Sequence, residues 1–198
     1  MITVRRLDFY LTCRDELRDQ ANWLAKLVEG RATSETDLVE GATFQVGWSI
    51  LKLVATTDGL ALCEPDFDSD PFNCFRNDVS ATLDVLLKQR ELLARIRCSP
   101  VDIRFDDKVV ILKGCLEEEG VYGERSQPKS GDSGWYFGPT RDHPTPGVVD
   151  LEAILAFQLL HRRPQLLTAM CLPVKWIVVW HGTEIKGIAN EDNQEVMR

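Results

Sequence analysis

Apolar side chains at Leu17, Ala21, Leu24, Ala25 and Val28 recur at the spacing of one helical face. The pattern predicts a helix, with Thr12 placed to cap its start and Gly30 to end it. Residues 31–43 read as a polar linker. Phe44, Val46, Trp48 and Ile50 then alternate with polar or small residues, a half-buried strand whose parity shifts at Ile50-Leu51 and so predicts a bulge. Thr57-Asp58-Gly59 makes a turn, and Leu60–Cys63 returns as the second arm of a hairpin. Asp78 can cap a second helix carrying Val79, Leu83, Leu86, Leu93 and Ile96, stopped by Ser99-Pro100.

Val101, Ile103 and Phe105 alternate as a strand, Asp106-Asp107 turns, and Lys108–Leu112 pairs back. Residues 114–133 are polar and glycine-rich. A short strand is predicted at Trp135–Phe137, where three consecutive aromatics must point to both faces. Asp150 is placed to cap a third helix over Leu151, Ile154, Leu155 and Leu159. Val174–Trp180 is apolar at both parities, which predicts an interior strand covered on both faces, and the polar residues after Ile188 should fray. Strands in hairpins with about three flanking helices make an α+β fold with a mostly antiparallel sheet. One α+β domain is predicted over residues 1–188, with a polar tail at 189–198. Gly47-Trp48 and Gly134-Trp135 each enter a strand, 87 residues apart, which leaves open two similar halves, about 1–99 and 100–188.

Composition narrows the function. The 198 residues hold 23 basic and 31 acidic side chains, a net charge of −8. That disfavours nucleic acid and anionic membrane as partners and suits a basic one. No apolar run approaches the length of a membrane span. The first residues, MITVRRLDFYLTC, lack the apolar region of a signal peptide, and none of the six cysteines forms a CxxC pair. Reduced thiols in a cytoplasm are the expectation. The acidic excess is concentrated between Asp58 and Asp84, where seven acids face one base. Glu64, Asp66, Asp68 and Asp70 lie there with Phe67 and Phe72 as apolar anchors, and Glu117-Glu118-Glu119 adds a second acidic run. Together with Trp135 they are the candidate partner-binding residues.

Catalytic and metal patterns are weaker. Gly131-Asp132-Ser133-Gly134 matches the nucleophile segment of chymotrypsin-like proteases, but Trp135 follows where that family has glycine, and His143, His161 and His181 all lie downstream. Asp66, Asp68 and Asp70 alternate like the start of a calcium loop, yet Pro71 and Asn77 replace its glycine and bidentate glutamate. Cys63 with a histidine would make a thiol–imidazole pair, though nothing in the chain brings them together. Neither a cofactor nor a metal is expected, and no catalysis. A hydrolase using Ser133 or Cys63 remains the enzymatic alternative.

The segment Asp132-Ser133-Gly134-Trp135-Tyr136-Phe137-Gly138, followed by Asp150-Leu151-Glu152-Ala153-Ile154, Arg163-Pro164 and Leu172-Pro173-Val174, resembles the immunity-protein-thirty-three-like domain. Val46–Leu53 and Cys63–Phe67 are similar to longer members of that group. The likeness covers residues 44–75 and 132–182; Pro139–Gly147 is proline-rich where short members carry an acidic run. It implies a bacterial immunity protein that binds and neutralises a cognate toxin or effector of a polymorphic or type VI secretion system. An adaptor domain without a toxin is the alternative. Oligomeric state is left open.

Overall fold

The computed structural model describes residues 1–6, 8–31 and 38–197. The fold is α+β and divides into two compact units, Met1–Lys88 and Gln89–Arg198. Residues 32–37 of the expected linker lie outside the described residues.

In the first unit β1 (Ile2–Arg5) and β2 (Tyr10–Cys13) form an antiparallel pair that sequence reading missed. Thr12 is therefore a strand residue and caps nothing. A single 3-10 turn at Asp15–Leu17 leads into α1 (Arg18–Arg31), and Gly30 lies inside this helix. The predicted apolar stripe is right: Leu17, Ala21, Leu24, Ala25 and Val28 pack on Leu11, Leu51, Leu53 and Leu62 of the sheet.

The strand predicted over residues 44–50 is two strands, β3 (Thr43–Val46) and β4 (Ser49–Thr56). The parity shift is a chain reversal at Gly47-Trp48 rather than a bulge. Gly47 has φ +54°, and a Cβ there would lie 2.4 Å from Leu86 Cδ2, so both backbone and space call for glycine. β5 (Gly59–Pro65) returns beside β4 as expected. β6 (Phe75–Arg76) adds to β5, and the sheet order is β1-β2-β5-β4-β3 with β6 on β5. α2 (Ser80–Ile96) runs from the end of this unit into the next.

The second unit is one seven-stranded sheet. Its strands are β7 (Lys108–Leu112), β8 (Gly120–Arg125), β9 (Asp132–Pro139), β10 (Leu151–Leu155), β11 (Ile177–His181), β12 (Glu184–Ala189) and β13 (Glu195–Met197), in the order β10-β7-β9-β8-β11-β12-β13. Several sequence expectations fail in this unit. Residues 101–105 form no strand, although Ile103 and Phe105 are buried. Leu151–Leu155 is a strand paired with β7, and only one helical turn, α3 (Leu159–Arg162), follows it. The polar stretch after Ile188 pairs through β13, whose Met197 is buried.

Register shows that the sheet has one covered face. Ile111, Phe137, Gly123, Val178, Ile188 and Met197 are successive neighbours across six strands, and all are buried. The adjacent row, Ala153, Val110, Tyr136, Glu124, Ile177 and Ala189, points the other way and is half-buried or exposed. β11 is interior in the sheet, as predicted, but Ile177 and Val179 are only half-buried, so its coverage is one-sided.

The covered face is closed by irregular chain, the 3-10 turn at Pro164–Thr168 and the loop to Leu172, whose carbonyls lack ladder partners. Arg125, fully buried, supplies donors. Its Nε donates to Ser133 O at 3.1 Å, Nη1 to Leu172 O at 2.6 Å and Met170 O at 3.4 Å, and Nη2 to Asp102 O at 3.4 Å. Arg163 does the same for Leu116 O, Glu118 O, Glu119 O and Gly182 O. Arg125→Ala should strip this donor from Ser133 O, Leu172 O and Asp102 O, while Met170 O keeps the Trp135 indole, and cost roughly 3 kcal/mol or more. Arg125→Lys should not rescue it, because one ammonium cannot span four segments. Urea denaturation checks both; wild-type stability in Arg125→Ala would refute the role.

Candidate partner-binding surface

β5 ends at Pro65 and delivers the loop richest in acid. Its first acid, Glu64, does not reach the surface: it is 0% exposed. Its Oε1 accepts from Arg76 Nε at 3.1 Å and Nη2 at 2.9 Å and from Ala81 N at 3.3 Å, and its Oε2 accepts from Thr82 N at 2.7 Å. A strand carboxylate thus closes the start of α2, where backbone N–H groups have no helical acceptor. Asp78, the expected cap, accepts from Ser80 N and Ser80 Oγ beside it. Burial pushes the Glu64 carboxyl up to about 7, against the Thr82 and Arg76 donors that hold it down.

The remaining loop acids serve the loop itself. Asp66 accepts from Asp68 N and Ser69 Oγ, and Asp70 accepts from Phe72 N, Asn73 N and Asn73 Nδ2. These bonds hold the Asp70 carboxyl below the usual carboxylate range. Arg76 pairs with Asp68 and lies 4.0 Å from Asp66. Phe67, expected as a surface anchor, is 3% exposed and stacks on Trp48 with centroids 5.1 Å apart. Phe72 is 53% exposed. The carboxylates point to N–H donors and a guanidinium, and no metal-binding group of three or more His, Cys, Asp or Glu occurs among the described residues.

Glu117–Glu119 follow β7 through a tight turn. Cys115 and Leu116 anchor it in the core, and Arg163 binds its carbonyls from beneath. The three side chains project outward, each beside a base: Glu117 with Arg162 at 3.9 Å, Glu118 with Arg141 at 2.8 Å, Glu119 with His181 at 3.0 Å.

Trp135 lies on the covered face. It is 1% exposed, donates from Nε1 to Met170 O at 2.9 Å, and stacks on Phe137 at 5.6 Å. Of the three aromatics Trp135-Tyr136-Phe137, the half-exposed one is Tyr136. Its ring meets Tyr122 at 5.9 Å, and a Cβ at Gly138 would crowd both rings. This tyrosine pair was missed because β8 hides in a stretch that reads as polar and glycine-rich. The alternation Val121, Gly123, Arg125 against Tyr122, Glu124 was its only signal.

The catalytic candidates have structural bonds. Ser133 is buried; its Oγ donates to Lys108 O at 2.7 Å and accepts from Trp135 N at 3.2 Å. Gly134, at φ +75°, packs where a Cβ would lie 2.2 Å from Ser126 O. The Gly-Asp-Ser-Gly string is therefore a strand entry. Cys63 is buried in β5 with its thiol pushed up to about 11 by desolvation.

A family model described as the Imm33-like domain matches residues 88–191, just over half of the chain. The chain belongs to the Imm33-like domain family. No curated protein and no solved structure matches it. The Imm33-like match begins beside the start of the second unit and takes in β7 through β12. Residues 132–182 of the resemblance lie inside it, and residues 44–75, with the acidic loop, lie outside.

The raised Glu64 pKa makes stability pH-dependent with a defined sign. A carboxyl that holds its proton more tightly when folded favours the fold below its ordinary value of 4.5, and that benefit is lost as pH rises through about 7. Glu64→Gln should remove up to about 3 kcal/mol of this slope. Denaturation at pH 4.5, 5.5 and 7 compares the two proteins; parallel profiles would show that Glu64 titrates as it does unfolded.

Proposed function

We propose that this chain is a bacterial immunity protein that neutralises a cognate toxin or effector by binding it, without catalysis, through acidic surface on its second unit. The observation that carries this reading is the family match to that unit. Charge supports it. The second unit has fourteen basic and sixteen acidic residues. Two of the fourteen, Arg125 and Arg163, are buried on backbone carbonyls, so the charge it presents is more acidic than its composition suggests. The first unit, with nine basic and fifteen acidic residues, adds to the same field.

A field of this sign steers a basic partner and discriminates against acidic ones. Glu117 and Glu119 stand on a turn that Arg163 holds rigid, which suits them to orient a partner at that end of the sheet. Asp66, Asp68 and Asp70 contribute to the net charge, with hydrogen bonds within their own loop. The six cysteines are free thiols, four of them buried, in keeping with action in the cytoplasm. No helix among the described residues is long and apolar enough to cross a membrane.

The test mixes the purified chain with the purified product of the neighbouring gene and sizes the mixture by light scattering. A stable complex is expected, with association slowed about tenfold or more between low and about 0.5 M salt. A mixture eluting as two separate proteins would refute the reading.

A further inference from the structure

We infer that the uncovered face of the seven-stranded sheet is the docking face for the basic partner, centred on Glu124 and the Tyr122–Tyr136 pair. The inference rests on the immunity reading and adds where the partner sits.

An antiparallel sheet covered on one side ordinarily alternates apolar-in with polar-out. Here most of the central outward positions are apolar as well, with charged residues such as Lys108 and Glu195 toward the margins. Register sets Tyr136 between Val110 and Glu124, with Ile177 on the far side of Glu124. In the next outward row Tyr122 has Gly138 and Val179 as neighbours, and Leu112 pairs with Leu151. All of these except Glu124 and Gly138 are half-buried. Seven strands about 4.8 Å apart and about five residues long give a face of roughly 500 Å². A face of that size is comparable to the largest apolar patch of a typical monomer, which is often functional, and is more than half of one partner's share, about 800 Å², of a standard interface.

The occupant follows from charge. Glu124 is exposed in the middle of these rows, and its carboxylate makes no hydrogen bond or ion pair among the described residues. A lone carboxylate ringed by aromatic and branched apolar side chains is complementary to an arginine or lysine carried on an apolar surface, and covering it would strengthen that pair. The acidic turn at Glu117–Glu119 continues this face at the end where β8 begins, since Glu119 pairs with His181, the residue in register with Gly120. A second copy of the chain fits less well, because it would set one acidic face on another in a protein of net charge −8.

The test measures binding of the purified neighbouring-gene toxin to the full chain and three variants, by surface-immobilised kinetics, with thermal unfolding confirming that each is folded. Glu124→Lys and Val179→Ser should each weaken binding tenfold or more. Asp68→Lys, which makes the same charge change in the first unit's loop, should weaken it less than threefold. Equal effects of Glu124→Lys and Asp68→Lys would reduce the face to net charge and overturn the inference, as would unchanged binding in both face variants. A wild-type chain that forms dimers broken by Glu124→Lys would overturn it in favour of self-association. Absence of any wild-type complex would instead overturn the immunity reading itself.

Discussion

A buried guanidinium with four segments of backbone around it is the interaction on which the second unit depends. The inner face of its sheet is closed mostly by 3-10 turns and loop, and such chain carries carbonyls that no ladder or long helix satisfies. Arg125 gathers four of them from residues 102, 133, 170 and 172. Arg163 gathers four more from the 116–119 turn and residue 182. Desolvation pulls both guanidinium groups below their ordinary pKa, and an arginine stays charged in a protein interior. A fixed fork of donors can therefore do here what regular secondary structure does elsewhere.

This solution also shapes the surface. Because the cover is built on one face alone, the other stays open and its apolar rows meet solvent. The two inward arginines also leave the unit's acids with fewer opposing charges at the surface. An acidic surface and a partly apolar outer sheet face thus arise from one arrangement. In the first unit the logic is inverted: Glu64 is the ion drawn inside, and it closes the start of α2 with Arg76 as its companion. Removing a carboxylate from the surface there makes the loop less acidic than its sequence reads.

Much of the fold was legible where one element carries its own signal. The stripe from Leu17 to Val28 named the buried face of α1 and the turn before it, and Val79 and Leu83 marked the start of α2 and its buried side. The hairpin of β4 and β5 followed from Thr57-Asp58-Gly59. Failures cluster where short segments satisfy two periods at once. Leu151, Ile154 and Leu155 fit a helical face, yet β7 offered an unpaired edge and drew them into a strand. Val101, Ile103 and Phe105 alternate as a strand would, but no ladder forms there, although Ile103 and Phe105 are buried. The candidate surface divided likewise: Asp68, Phe72, Glu117 and Glu119 are exposed, whereas Glu64, Phe67 and Trp135 are interior.

By itself the sequence determined the class of the protein: an acidic α+β chain without a signal for catalysis, bearing the resemblance that the family match bears out. Those properties are sums over the chain or runs within one element, and neither depends on what lies opposite in space. Tertiary structure alone decided which acids and aromatics face solvent. Glu64 and Asp68 are four residues apart, as alike in sequence as two acids can be, and one is buried because α2 begins above it. Trp135 and Tyr136 are adjacent, and the pleat of β9 sends one to the core and the other outward. Burial is settled by the partner across the gap, which no local pattern carries.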